Sequence, residues 1–340
     1  MKKTVKRILI IQRENIGDLV CATPLMRTLR SQHPHAYIAA YVNSYNAPVL
    51  QGNDDLNEVF FYSKAKHLSA GQSAVDALFK RISTIFKLAT KRFDTVILAE
   101  PEYSRGLVRF AAMLTFGVSN KQIIGFASGQ GDATSLHQHL PQNNALCTAE
   151  FVHGLQALVG AKVDAPPCRV VAAQPQNKLA GTTQVALHIS ARKPSQRWSA
   201  DNFVALAKQL NSTTNIEFLL FWSPGAADNP HHPGDDEKAA QILAALENTT
   251  PPIQIKPVPT AALRDLIDAL NAADILICAD GGAMHIAAGL GKPIVCLFGK
   301  SDAQRWRPWG VRYALLQKPS LDVADISVVE VAAAFATLHR

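Results

Sequence analysis

The feature that most limits how this chain can fold is a rhythm that runs through it twice: short β-rich runs alternating with amphipathic segments of helical length. In the first half the runs Val5 to Gln12, Tyr37 to Val42 and Thr95 to Leu98 alternate with the helical patterns Leu19 to Arg30 and Val75 to Lys91. Strands separated by helix-length crossovers read as βαβ units and so as a parallel sheet. Pro24 falls in the first turn of the Leu19 helix, where a missing N–H costs nothing, and Pro34 lies just past its end.

The rhythm restarts at Gln184 to Ile189. It continues through strand patterns at Glu217 to Trp222, Ile275 to Ala279 and Ile294 to Phe298, interleaved with helical ones at Ala200 to Leu210, Asp236 to Leu246, Ala261 to Asn271 and His285 to Leu290. Between the two series, Ala165 to Thr182 carries Pro166, Pro167, Pro175 and Gly181 with little periodicity and reads as an interdomain linker. Two α/β domains with a cleft between them are therefore expected, and 340 residues are enough for two cores. The alanine- and valine-rich segment Val323 to His339 is helical in character and is expected to pack back across the linker.

Composition narrows the partners. Apolar residues at 48% and charged residues at 18% exclude extended disorder. Apolar stretches such as Val108 to Val118 are far shorter than the ~20 residues of a spanning helix. Met1 to Arg7 is basic, but Ile8 to Ile11 is a short apolar run with no cleavage site behind it, so it reads as a first strand and not a signal peptide. Five scattered cysteines without C-x-x-C suit reduced thiols, core packing and a cytoplasmic location. A net charge of +7 favours anionic partners, whether nucleic acid, an acidic membrane leaflet or phosphorylated substrates. Basic residues are spread along the chain without a recognisable nucleic-acid-binding motif, so no nucleic acid is expected.

Three loops hold the residue types that chemistry needs. Arg13-Glu14-Asn15-Ile16-Gly17-Asp18 follows the first strand and opens a helix; there Asp18 either caps that helix or faces the cleft. Without G-x-G-x-x-G this turn is a poor dinucleotide site. Ser190-Ala191-Arg192-Lys193-Pro194-Ser195-Gln196-Arg197-Trp198 follows the first strand of the second series, and is either a phosphate clamp or a solvated basic loop, with Trp198 a packing anchor. Asp280-Gly281-Gly282-Ala283-Met284-His285 sits between a strand and a short helix, where two glycines bare backbone N–H groups suited to a diphosphate, unless it is a plain glycine-rich turn. No D-x-D occurs, so no metal-chelating carboxylate pair and no metal or other cofactor is expected; His231-His232 reads as part of a solvated loop.

Together these motifs resemble glycosyltransferase family 9, the bacterial ADP-heptose:lipopolysaccharide heptosyltransferases. The resemblance rests on Ile8 to Ile11 through Ile16-Gly17-Asp18 and Pro24-Leu25, on Arg197-Trp198 followed by Phe203, and on Asp280 to Ala288 through Lys292-Pro293 and Phe298-Gly299. It implies the GT-B architecture, two Rossmann-like doubly wound domains facing across a cleft. Residues 1–165 would bind the acceptor, residues 183–322 the nucleotide sugar, and 323–340 would form the C-terminal helix. It implies inverting transfer of a heptose from ADP-heptose to a lipopolysaccharide core or related lipid-linked oligosaccharide, with Asp18 as general base. Donor contacts would fall to Ser190, Arg192, Lys193, Gln196, Arg197, Thr260, Asp280, Gly281, Gly282 and His285. Arg13, Asn15, Arg105 and Arg109 would grip the acceptor, or be ordinary surface residues, and the basic surface would favour peripheral contact with the inner leaflet of the cytoplasmic membrane. Two positions depart from the family pattern: Gly281 replaces the usual Ser or Thr, and Gln196 stands where Lys is common. The same scaffold using another nucleotide sugar, or a non-catalytic nucleotide-sugar-binding protein, are the alternatives.

Overall fold

The computed structural model describes residues 7–62, 74–127, 136–173, 181–212, 215–229 and 234–339; His231 and His232 lie outside the described residues. The chain divides between Val170 and Val171 into two compact units. That point falls inside the proline-rich segment Ala165 to Thr182.

The first unit runs β1 (Arg7–Gln12), α1 (Ile16–Cys21), α2 (Thr23–Gln32), β2 (Tyr37–Asn43), β3 (Glu58–Tyr62), α3 (Ala74–Thr90), β4 (Thr95–Leu98), α4 (Arg105–Leu114), β5 (Gln122–Ala127), β6 (Gln138–Pro141) and α5 (Thr148–His153). Its six strands are parallel, in the order β3-β2-β1-β4-β5-β6. Leu9 and Ile11 share a core with Leu88 of α3 and Leu107, Val108 and Ala111 of α4. Ile8 and Ile10, pointing to the opposite face, are just as fully enclosed. A strand buried on both faces needs an unbroken apolar run, which is why β1 stands out in the sequence.

The helix expected over Leu19 to Arg30 is in fact two, meeting at Ala22. Pro24, in the first turn of α2, has no N–H for the carbonyl of Val20, and the Thr23 hydroxyl donates to that carbonyl instead at 2.6 Å.

The second unit repeats the winding with β7 (Thr183–His188), α6 (Ala200–Asn211), β8 (Ile216–Trp222), α7 (Asp236–Glu247), β9 (Ile255–Pro259), α8 (Leu263–Ala272), β10 (Ile275–Ala279), α9 (Gly282–Gly289), β11 (Ile294–Phe298), α10 (Ala303–Trp306), β12 (Tyr313–Gln317) and α11 (Val328–Leu338). Its parallel order is β12-β11-β10-β7-β8-β9. The C-terminal helix α11 finds its partners in α6, β11 and β12 of this unit. There Val331, Ala334, Phe335 and Leu338 join the core that also holds Trp198 and Phe203. Ser327 and Glu330 close the start of α11 with a reciprocal capping box. Trp198 anchors the basic loop to this core: its indole N–H donates to Ile326 O at 2.9 Å, and its ring meets Phe203 edge-on at 5.0 Å. All five cysteines are buried and unbridged. No helix among the described residues is long and apolar enough to cross a membrane.

Candidate functional site

In a parallel sheet every strand hands over to its following loop at the carboxyl edge, and a crevice opens where the winding reverses. The reversal lies between β1 and β4 in the first unit and between β7 and β10 in the second. The loops after those four strands carry most of the residues singled out above.

In the first unit the buried Gln12 side chain fixes the turn. Its amide N–H donates to Ala99 O at 3.1 Å, and its oxygen accepts from Glu14 N at 2.8 Å. Arg13 lies against Glu100 beyond β4: Arg13 Nε donates to Glu100 Oε1 at 2.9 Å, and Arg13 N donates to the same oxygen at 3.2 Å. Burial opposes the Arg13 charge, and Glu100 outweighs it, holding the guanidinium above its ordinary pKa.

Asp18 is not the N-cap. Extended Asn15 caps α1, and Asp18 is its third residue, with Oδ2 accepting from Asn15 N at 3.2 Å and Asn15 Nδ2 at 3.3 Å. The residue is only 5% exposed, so its carboxylate is a preorganised group and not a solvated one. Arg105 and Arg109 stand on the exposed side of α4 at i, i+4 spacing.

In the second unit a hydrogen-bonded chain runs along the carboxyl edge. Ser190 Oγ, after β7, accepts from Ser223 N at 2.9 Å, and Thr260 Oγ1, after β9, donates to Trp222 O at 2.9 Å. Gln196, 5% exposed, spans the reversal: Nε2 donates to Asp280 Oδ2 at 2.9 Å and to Ser301 Oγ at 2.8 Å. Gly299 is what lets this loop close down, since a Cβ there would meet Ser195 O at 2.0 Å. Arg197 folds back on its own loop, with Nε donating to Ala191 O at 3.1 Å, while Arg192 and Lys193 are exposed.

Gly281 is the N-cap of α9, in extended backbone, and a Cβ built on it would meet nothing within 4 Å. The approach to the first-turn amides of α9, beginning at Gly282, is therefore open on that side. His285, one turn in, is 4% exposed, with its ring edge-on to Trp306 at 6.0 Å. Burial pushes its pKa down to about 4 against the pull of Asp280, so any anion it met would meet a neutral imidazole.

Sequence reasoning missed four residues here. Glu100, Ser301 and Ser223 reach the site only through contacts distant in sequence. Lys238, at the start of α7, donates to Ile189 O at 2.9 Å beneath the basic loop, and burial pushes its pKa down to about 8. The charge pattern around the loop gives no hint of it. Among the described residues no group of three or more His, Cys, Asp or Glu is placed to hold a metal ion.

Two six-stranded parallel sheets of Rossmann winding in one chain, with these loops at their carboxyl edges, define a GT-B α/β protein. A family 9 glycosyl transferase from Veillonella parvula DSM 2008 shares the fold with a TM-score of 0.76 at 17% identity, over 99% of this chain and 98% of that one. The Escherichia coli heptosyltransferase WaaC, determined with ADP, gives a TM-score of 0.75 at 16% identity over 97% and 99%. Lipopolysaccharide heptosyltransferase 2 of Salmonella typhimurium is 23% identical over 320 residues, 87% of this chain and 83% of that protein. The profile of glycosyltransferase family 9 (heptosyltransferase) matches residues 81–322, and the chain belongs to that family.

Proposed function

We propose that this glycosyltransferase is inverting and metal-independent, and moves a heptose from ADP-heptose to a lipopolysaccharide-core type oligosaccharide. The observation that carries the reading is the Asp280-Gly281-Gly282 turn, which opens α9 beside the winding reversal with open space around the Cβ position of its N-cap glycine. Departure of ADP places negative charge on a diphosphate, and helix amides already in position stabilise it without reorganising. Arg192 and Lys193 add cations from the same edge, and Thr260, after β9, is the position the family resemblance assigns to the adenine. The second unit is accordingly assigned to the donor.

The first unit is assigned to the acceptor. Asp18 takes the proton from the acceptor hydroxyl as that oxygen attacks the anomeric carbon; the bond from that carbon to the diphosphate breaks, and its electron pair leaves with ADP. Asn15 holds the carboxylate in place through Oδ2, while Arg13, Arg105 and Arg109 offer phosphate or acidic-sugar contacts.

The nearest variant is the same reaction with another nucleotide sugar. It is favoured by Gln196, a neutral donor to Asp280 where the family often places a lysine. Acceptor-dependent ADP release from ADP-heptose, measured beside a panel of UDP- and GDP-sugars with and without EDTA, tests both. Turnover with ADP-heptose that EDTA leaves intact is expected. Strict dependence on magnesium would end the mechanism, and preference for a UDP- or GDP-sugar would end the donor assignment.

A further inference from the structure

The outer layer of the first unit is built unlike the rest of the surface. On α3, Phe79, Ile82 and Phe86 follow i, i+3, i+7 spacing on the side opposite the buried Leu88, and Phe79 and Phe86 are 67% and 70% exposed. On α4, which packs against α3 on the same sheet face, Met113 is exposed, and Phe116 in the turn that follows is 86% exposed. A soluble face that only meets water does not gather its large apolar side chains in this way.

From Phe79 onward the charges along these two helices have one sign. Residues 79–93 contain five Lys or Arg and residues 105–121 three, and neither stretch contains an Asp or Glu. Lys80 and Lys87 flank the aromatic stripe of α3, and Arg109 lies one turn before Met113 on α4. Glu58 binds Lys91 at 2.7 Å, and Asp94 accepts from the backbone N–H of Arg7 at 3.0 Å. Asp76 at the start of α3 and Glu102 ahead of α4 lie just outside the two stretches, whose eight Lys or Arg outnumber them.

Exposed aromatics rimmed by lysines match one partner chemistry. Phe rings enter the boundary between headgroups and acyl chains, and Lys stems reach along the apolar surface to place ammonium groups at anionic phosphates. We propose that the α3–α4 face is a docking surface for an anionic lipid bilayer, with Phe79, Phe86 and Phe116 inserting and Lys80 and Lys87 pairing with headgroups. The surface stands on its own geometry and does not depend on the identity of donor or acceptor.

Flotation of the full chain with vesicles of phosphatidylglycerol and phosphatidylcholine, against phosphatidylcholine alone, tests it. The wild type floats with the anionic vesicles, less so as salt rises. Lys80→Gln with Lys87→Gln lowers partitioning by about fivefold for each lysine at low salt, the equivalent of ~1 kcal/mol apiece. Phe79→Ser with Phe86→Ser and Phe116→Ser abolishes flotation while leaving ADP affinity and the thermal midpoint unchanged, because these rings are already in water. Equal flotation of this triple variant and the wild type overturns the proposal, as does failure of the wild type to bind anionic vesicles. A wild-type dimer that the triple variant splits, with vesicle binding unaltered, would assign the face to a second copy instead.

Discussion

In the first unit an ion pair spans the winding reversal, from Arg13 to Glu100 at 2.9 Å; in the second an amide spans it, from Gln196 to Asp280, also at 2.9 Å. The sheets have the same strand order, so topology brings the loop after the first strand to the loop after the fourth in both. Topology does not choose what meets there. Arg13 and Glu100 pair, and Asp18 is the carboxylate of that edge proposed above as general base. Gln196 orients Asp280 without neutralising it, so under the donor assignment proposed above the positive charge for a diphosphate comes from elsewhere on the second edge.

The largest effect that separates the two edges should come from Asp18→Asn. The amide oxygen of the new side chain can still accept from Asn15, so folding stability should stay within ~1 kcal/mol of wild type. The proton acceptor is gone, and kcat should fall by about 10²- to 10⁴-fold with ADP affinity unaltered. Near-normal turnover would remove Asp18 from the chemistry and leave it a capping residue.

Acid separates the units next. Burial lowers His153 and His33 of the first unit modestly, and it lowers His285 and His188 of the second unit to about 4. An unfolded histidine binds its proton near 6.5, whereas these resist until about 4. Their contribution to stability is therefore complete above pH 6.5 and is lost as the pH falls toward 4. A loss on the order of 2 to 3 kcal/mol for each of the two is expected over that interval. Lys238 acts further up the scale: lowered to about 8, it adds stability as pH rises from there toward 10.5. All four tryptophans, Trp198, Trp222, Trp306 and Trp309, belong to the second unit, so denaturant titrations followed by indole fluorescence read it alone. A midpoint that stays flat from neutral pH down to about 5 would contradict the lowered imidazoles, of which His285 is the buried one.

The same comparison shows what a sequence can disclose. The central strands β1, β10 and β11 are enclosed on both faces, and Ile8 to Ile11, Ile275 to Cys278 and Ile294 to Phe298 announce them as apolar runs. The strands that escaped notice include all four at the sheet margins, β3, β6, β9 and β12. With one side in solvent they need no such run: β9 reads Ile255-Lys256-Pro257-Val258-Pro259, mostly exposed or half-buried. The site divides along a similar line. Asp18 and Asp280 sit in local motifs and could be located, whereas Glu100 lies 87 residues from Arg13 and Ser301 lies 105 from Gln196. Contacts of that span are products of the fold and leave no local pattern.

Removing one partner from each bridge is the next comparison. Glu100→Ala leaves a part-buried guanidinium without its carboxylate and should cost about 1 to 3 kcal/mol, measured by urea denaturation. Gln196→Ala removes a neutral donor from two oxygens and should cost about 1 kcal/mol, with its larger consequence in ADP affinity through a freed Asp280. Equal costs, or a greater loss at Gln196, would show that the two bridges do not differ in the way their charges suggest.

The smallest effect is expected at Gly281, and it bears on whether the departure from the family pattern alters the site. A Cβ there meets nothing within 4 Å and the backbone is extended, so Gly281→Ser adds a hydroxyl at the N-cap of α9 without strain. Ser exceeds Gly at an N-cap by only a few tenths of a kcal/mol, so a thermal midpoint equal to or slightly above wild type is expected. For ADP the hydroxyl works in two directions: capping the helix, it competes for an amide; donating to a phosphate oxygen, it adds a contact. These offset, and a change in Kd of no more than about threefold should result, or ~0.6 kcal/mol. Destabilisation beyond ~1 kcal/mol would mean that the turn is closed around the Gly281 Cβ position, and the anion would lose the face of α9 assigned to it.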